Sequence, residues 1–389
     1  MSGRCRVLHV TRSYYPDSDG GIERVIEHLA LATTRLGVRN HVFALSPRPT
    51  ARPFRRGPAV VHQQRRHIEL ASCSMSLTTL SAFRRRAARA DVIHYHFPWP
   101  FADLMHLARA SDRPALVTYH SDIVRQRLLE PLYRPLMRAF LARMGAVVAT
   151  SDGYAASSPV LQAVDPERLQ VVPIGLDATL YPAPPSARVA GWREALGEGF
   201  FLFVGVLRYY KGLHLLLQAL RTHPHRVVIV GAGPKAEALQ RLAGELGVAD
   251  QVTFTGYLPD EDKQALLQLC RAMVFPSHLR SEAFGVSLVE AAMAGRPMIT
   301  AELGTGTGFV NRDGETGIVV PPDDPEAIGR ALDTLASDPE LAERLGAAAR
   351  RRYCHYLTAD ISARAYRALY DEVRGVTAAG ISLARATSR

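Results

Sequence analysis

The chain repeats one local pattern in two series, and that pattern admits few folds. A short apolar run of strand length gives way to a stretch with helical spacing, and the alternation continues to about residue 320. It predicts βα units and parallel sheets, because parallel strands must be joined by a crossover, usually a helix. In the first series the expected strands are Val7–Val10, His41–Leu45, Val92–Tyr95, Leu116–Tyr119, Ala146–Ala149 and Gln170–Pro173. In the second they are Phe201–Val206, Val227–Val230, Val252–Thr255, Met273–Phe275, Pro297–Thr300 and Gly317–Val320. The first helix is read from Ile22, Val25, Ile26, Leu29 and Ala30, which share one face. Between the series, Pro182, Pro184, Pro185, Gly191, Gly197 and Gly199 punctuate residues 177–199 as an expected linker. The expected architecture is two doubly wound α/β domains, residues 1–185 and 186–356, facing each other. An amphipathic helix over Leu357–Val373 and a frayed tail after Gly375 follow. Ligands of such sheets bind beyond the carboxyl ends of the strands, so facing sheets form a cleft where a donor and an acceptor can meet.

Composition narrows the classes. No stretch approaches the run of ~20 apolar residues that a membrane helix needs. Arg4 and Arg6 run straight into the first strand without the apolar core of a secretory signal, so a cytoplasmic location is expected. Cys5, Cys73, Cys270 and Cys354 form no CxxC pair and no zinc spacing, as for four reduced thiols. The formal net charge of +10 is one-sided: residues 1–185 hold 24 Lys and Arg against 14 Asp and Glu, and the remainder holds 23 of each. Arg52, Arg55, Arg56, Arg65, Arg66, Arg84, Arg85, Arg86 and Arg89 crowd one stretch. Such a field attracts an anionic membrane surface, a lipid phosphate or a nucleic acid; the bland alternative is a general bias toward arginine, since the chain has only three lysines. No helix-turn-helix or aromatic-interleaved basic motif supports nucleic-acid binding.

Five motifs sit where the expected strands end. Tyr14–Gly21 places Gly20 and Gly21 at the start of the first helix, where backbone N–H groups can approach an anion or simply form a turn. Asp17 and Asp19 in this loop form a DxD pair, but acids are common in turns and no metal is expected there. His120, in VTYHSD, stands at a strand end, able to hydrogen-bond a sugar or a phosphate, or to pack and cap. In FVGVLRYYKG, Gly205 ends a strand and Arg208 and Lys211 follow, cations suited to a diphosphate leaving group. In SEAFGVSLVEAA, Glu282 and Phe284 precede Gly285 and Val286 at a helix start, with Glu290 two turns in. The helix start can bind phosphate, and the carboxylates can accept from sugar and ribose hydroxyls. Glu302–Asn311, ELGTGTGFVN, offers small residues beside this site, for close backbone approach or as a flexible loop.

In this order, and with VVPIGLD at Val171–Asp177 and DGETGIVVPPDDPEA at Asp313–Ala327, these motifs resemble the retaining glycosyltransferases of family 4, with GT-B fold, over nearly the whole chain. The resemblance implies a first domain for the acceptor, a second for a nucleotide sugar, and a final helix that crosses back to the first. It implies that Gly20 and Gly21 approach the donor phosphates and that His120 contacts the transferring sugar. Arg208 and Lys211 would hold the diphosphate, Glu282 the sugar and Glu290 the ribose, without a metal or other cofactor. Val206 stands where the family commonly has an arginine, and Arg208 is the arginine of this loop. The ELGTGTGFVN stretch looks like a subgroup that uses GDP-mannose or GDP-D-rhamnose on bacterial polysaccharides, although Gly308 replaces that subgroup's frequent serine. Front-face displacement onto a lipid-diphosphate-linked or saccharide acceptor at the inner membrane face is the expected reaction. A UDP-sugar donor, a nucleotide-sugar epimerase and a basic nucleic-acid-binding protein are the alternatives.

Overall fold

The computed structural model describes residues 5–70, 73–108, 111–123 and 130–376; the tail expected beyond residue 376 lies outside them. The strands are β1 (Cys5–Val10), β2 (Val38–Ser46), β3 (Phe54–Arg56), β4 (Ala59–Arg65), β5 (Ile68–Leu70), β6 (Cys73–Met75), β7 (Val92–Phe97), β8 (Ala115–Tyr119), β9 (Ala146–Ala149) and β10 (Leu169–Val171). They continue with β11 (Phe201–Val204), β12 (Val227–Val230), β13 (Val252–Gly256), β14 (Ala272–Phe275), β15 (Met298–Ala301) and β16 (Gly317–Val320). One sheet runs β10-β9-β8-β7-β1-β2-β4-β3 and is parallel except for the β3–β4 pair. The other runs β13-β12-β11-β14-β15-β16 and is wholly parallel. This second order reverses direction between β11 and β14, which opens a crevice at their carboxyl ends.

Most of the expected strands are buried apolar runs of the kind that parallel sheets produce, whereas Gln170–Pro173, Val252–Thr255 and Gly317–Val320 are only partly buried. The stretch 54–75 differs from expectation, since it holds β3 to β6. Three of these have only three residues, and β4 ends in His62, Gln63, Gln64 and Arg65, so its apolar run is too short to read as a strand. The expected linker also differs. It contains a helix, Ser186–Leu196, that buries no residue fully but packs Val189, Trp192 and Leu196 against the core of the second sheet. Side chains also hold it: Arg188 and Trp192 both donate to Asp262 Oδ1 at 2.8 Å.

The last helix, Ala359–Val373, crosses back to the first sheet. Ala359, Ala363, Tyr366, Leu369 and Tyr370 pack with Cys5, Val7, Val92, Leu116 and Val148. Two phenols anchor it: Tyr370 Oη lies 2.9 Å from His94 Nδ1, and Tyr366 Oη 2.7 Å from Thr118 Oγ1. Tyr370→Phe therefore strands a fully buried imidazole nitrogen and should cost about 1–3 kcal/mol of stability. A lowered urea midpoint at unchanged slope is the expected result. An unchanged midpoint would mean that apolar contact alone holds the helix.

Candidate active site

A cavity of about 410 Å³ lies between the carboxyl edges of the two sheets. The loop after β1 brings Asp19, Gly20, Gly21 and Arg24, and the loop after β8 brings His120. The second sheet contributes Gly205 and Lys211 after β11, Gly231 after β12, Lys263, and Glu282 to Glu290 after β14. Two helices aim their first turns at this space. The helix Gly21–Arg35 starts behind Gly20, the helix Val286–Met293 starts behind Gly285, and neither has a side-chain cap. Their leading N–H groups have no intrahelical acceptor, so both ends attract anions. Gly285 has φ of 85°, a left-handed conformation that lets the chain turn sharply from the Glu282 loop into the helix. Gly231 has φ of 139°, and a Cβ there would sit 1.9 Å from the Gly205 carbonyl oxygen, so only glycine lets the two loops cross.

Lys211 and Glu282 form a buried ion pair, Nζ to Oε2 at 2.5 Å, and Ser277 donates to the same carboxylate oxygen at 3.0 Å. The ammonium also lies 4.3 Å from the Phe275 ring centroid. Glu290 accepts from Tyr181 Oη at 3.0 Å and lies 3.8 Å from Arg24 Nη1. Burial raises the Glu290 pKa, opposed by Lys263 and Arg24. Tyr181 is held in turn by His28, whose ring stacks on it and whose Nδ1 accepts the Asp177 N–H at 2.8 Å. Burial, reinforced by Arg24, lowers the His28 pKa to about 4, so the ring is neutral. The opposite wall is tied across the cleft by Arg280 to Asp122 at 3.6 Å and by Ser157 Oγ to the Gly304 carbonyl at 2.5 Å.

Gly20, Gly21, His120, Gly205, Lys211, Glu282, Phe284, Gly285, Val286 and Glu290 thus line one cavity. Arg208 does not. Leu207 is drawn into the core, its N–H bonded to the Ala232 carbonyl; Val206 before it lines the cavity, and Arg208 beyond it is solvent-exposed outside the lining. Among the described residues, the cations at the cavity besides Lys211 are Arg24 and Lys263, which the motifs above did not include. Each is a polar residue on a helix and gives no local signal. His28 is another polar helix residue, and Tyr181, just past the short turn Ala178–Leu180, gives no local signal either. Glu302–Asn311 does not line the cavity and instead braces its wall. Gly306 donates to the Ala283 carbonyl at 2.7 Å, and a Cβ there would lie 2.4 Å from Phe284.

Asp19 accepts from Tyr15 and pairs with Arg24, while Asp17 accepts from Gln63. His9, His94 and His96 bring ring nitrogens within 4.8 Å of one another, close enough for a metal. All six of those nitrogens already have protein hydrogen-bond partners.

Residues 19–180 match the family model for Glycosyltransferase Family 4, and residues 189–352 that for Glycosyl transferases group 1. The chain is 51% identical over 356 residues to the D-rhamnosyltransferase WbpZ of Pseudomonas aeruginosa, covering 91% of this chain and 92% of that protein. It is 46% identical over 365 residues to the O-antigen chain mannosyltransferase C of Escherichia coli, covering 94% and 98%. Among solved structures, sucrose-phosphate synthase from Thermosynechococcus elongatus superposes with a TM-score of 0.79 at 21% identity, over 96% of this chain and all of that one. Anabaena HepE in complex with UDP and glucose gives 0.77 at 18%, over 95% and all. With relatives this similar along nearly its full length and two facing doubly wound sheets, the chain belongs to glycosyltransferase family 4 and has the GT-B fold.

Proposed function

We propose that this glycosyltransferase is a retaining hexosyltransferase. It takes mannose or D-rhamnose from a GDP-sugar and passes it to a lipid-linked or saccharide acceptor in cell-surface polysaccharide synthesis. The observation that carries the reading is the convergence of two uncapped helix starts with Lys211, Arg24 and Lys263 on one cavity, a built site for a diphosphate. The names of the rhamnosyl- and mannosyltransferase relatives support the sugar. Residues 1–185 would carry the acceptor and 186–356 the nucleotide sugar. Gly20, Gly21, Gly205, Gly285 and Val286 would cradle phosphate, with Phe284 beside them. Lys211 would bind the diphosphate, Glu282 the sugar and Glu290 the ribose hydroxyls.

The acceptor hydroxyl attacks the anomeric carbon on the face from which the diphosphate leaves. The new C–O bond forms as the bond to phosphate breaks, and the hydroxyl proton passes to the departing phosphate oxygen. The protein supplies positioning and charge. Protein cations and helix ends, rather than a metal, balance the leaving group in this proposal. Calorimetric titration with GDP-mannose, GDP-D-rhamnose, UDP-glucose and UDP-N-acetylglucosamine tests the donor. Selective binding of a GDP-sugar is expected, and selective binding of a UDP-sugar would overturn it. Anomeric NMR of the product tests retention, and release of free epimerised sugar without a glycoside would overturn transfer.

No helix among the described residues is long and apolar enough to cross a membrane. We propose peripheral contact through the first domain. The β5–β6 hairpin packs on the helix Pro100–Leu107, and these elements with the segment after β6 expose Ile68, Leu70, Leu77 and Leu104, with Leu70 66% and Leu77 81% exposed. Exposed Arg65, Arg84, Arg85 and Arg89 lie close in sequence to this hairpin. Apolar tips beside arginines suit an anionic bilayer. A second cavity of about 590 Å³, with Met137, Leu141 and Val160 among its apolar lining and Arg134, Arg138 and Arg168 among its cations, supports a lipid-phosphate acceptor. Flotation with vesicles containing phosphatidylglycerol should recover the wild type at low salt and lose Leu70→Glu/Leu77→Glu. Equal recovery of both would exclude the hairpin.

A further inference from the structure

The face of the first sheet that the last helix covers is apolar up to its carboxyl edge, and there it becomes a row of imidazoles. His9 on β1 stands in register with His94 on β7, His96 lies two residues on, and His120 follows β8. Three of them form a continuous chain. Asn40 Oδ1 lies 3.0 Å from His9 Nε2, His9 Nδ1 lies 3.1 Å from His96 Nε2, and His96 Nδ1 lies 2.9 Å from His120 Nε2. Asn40, His9 and His96 are buried, and only His120 lines the cavity.

The inner end of this chain has a defined direction. Asn40 Nδ2 donates to the Ala30 carbonyl at 2.9 Å and lies 3.0 Å from Thr34 Oγ1; because a carbonyl only accepts, the amide cannot be flipped. Asn40 therefore turns its oxygen to His9, and His9 Nε2 must carry a hydrogen. Burial lowers the pKa of His9 to about 4 and of His120 to about 3, and that of His96 well below its usual value, so all three rings are neutral. A neutral ring holds one hydrogen. His9 Nδ1 is then an acceptor, which requires hydrogen on His96 Nε2. His96 Nδ1 becomes an acceptor in turn, which requires hydrogen on His120 Nε2. One tautomer is left for every ring. The remaining nitrogen, His120 Nδ1, is a bare lone pair with no hydrogen-bond partner among the described residues.

We propose that Asn40, His9 and His96 are positioning residues that lock His120 as an acceptor toward the cleft, so that it takes a hydrogen bond from a hydroxyl of the bound hexose and does not donate to phosphate. The inference rests on the nucleotide-sugar reading of the cavity. The chain orients and does not conduct, because it ends in an amide oxygen that takes up no proton. A ring free to flip its tautomer would present N–H to the cleft about as readily as a lone pair, and part of the enzyme would then repel the hydroxyl proton it should accept.

The test combines side-chain nitrogen NMR of histidine-labelled protein with two variants. In the wild type, long-range nitrogen–proton correlations should show hydrogen on His120 Nε2, with the signal assigned by its loss in His120→Gln. In His96→Leu, GDP should bind within about twofold of wild type while turnover of GDP-mannose falls about 10- to 30-fold, the scale of one polar contact. His96→Gln should restore most of that turnover, since its amide oxygen accepts from His120 Nε2 and its NH₂ donates to His9 Nδ1. Hydrogen on His120 Nδ1 in the wild type, or normal turnover in a folded His96→Leu, overturns the proposal. Should His96→Leu not fold, the wild-type spectrum alone decides. Failure of the wild type to bind GDP and GDP-mannose would refute the reading of the cavity, while the NMR result would still judge the tautomer.

Discussion

Lys211→Ala is expected to lower turnover about 10²- to 10³-fold, the scale seen when a preorganised charge at a developing anion is removed. The same substitution should also destabilise the ligand-free protein, because Glu282 sits against Lys211 at 2.5 Å with both side chains about nine-tenths buried. Removing one partner leaves a buried charge without its counterion, at a cost of about 3 kcal/mol or more. Ser277 still donates to Glu282 and softens that cost. Adding Glu282→Gln to Lys211→Ala should therefore recover much of the lost Tm without recovering turnover. Recovery of both would mean that the pair serves the fold and not the reaction. In this view the pair opens when the donor arrives: the ammonium turns to the diphosphate and the carboxylate to the sugar.

Glu290→Gln should weaken GDP binding about 100-fold, the scale of two charge-assisted hydrogen bonds to the ribose. The decisive control is 2′,3′-dideoxy-GDP. The wild type should bind it as weakly as the variant binds GDP, and the variant should be indifferent to the missing hydroxyls. Full sensitivity in the variant would assign the ribose elsewhere. Stability should move the other way. The folded pKa of Glu290 is raised by burial, so its contribution to stability is present below the unfolded pKa and is lost as pH rises through the folded value. At neutral pH the ionised carboxylate is a burden on the empty enzyme. Glutamine removes that burden and can still accept from Tyr181, so Tm should rise, and the rise should shrink toward acid pH. A Tm below wild type would mean that pairing with Arg24 outweighs the burial cost.

The glycine-rich part of the cavity was legible because it is built from local signals. Glycines at strand-to-helix turns, Lys211 just beyond a strand and two glutamates eight residues apart all announce themselves within short windows of sequence. Arg24, Lys263, Tyr181 and His28 carry no such signal, since their roles depend on which loop of the other sheet they meet. Arg208 shows the converse. It has the right type in the right loop, yet it lies exposed outside the cavity lining, while Val206, two residues earlier, is part of it. The histidines of β7 gave no comparable signal: the expected strand stopped at Tyr95, so His96 lay outside it, and a strand pattern alone does not say what lies beside it.

Taken by itself, the order of apolar runs and helical spacings determined the two doubly wound sheets, because a parallel strand buried on both faces has to be apolar throughout and needs a crossover to reach its neighbour. The same local chemistry determined which strand ends would be glycine-rich and receptive to anions. Only the tertiary structure decided which cations face the cavity, that Lys211 and Glu282 neutralise each other before a donor binds, and that His120 ends a buried chain beginning at Asn40. Those facts join residues tens to hundreds of positions apart. Hydrogen-bond direction and charge pairing are set by which atoms touch, and distance along the chain carries no record of that.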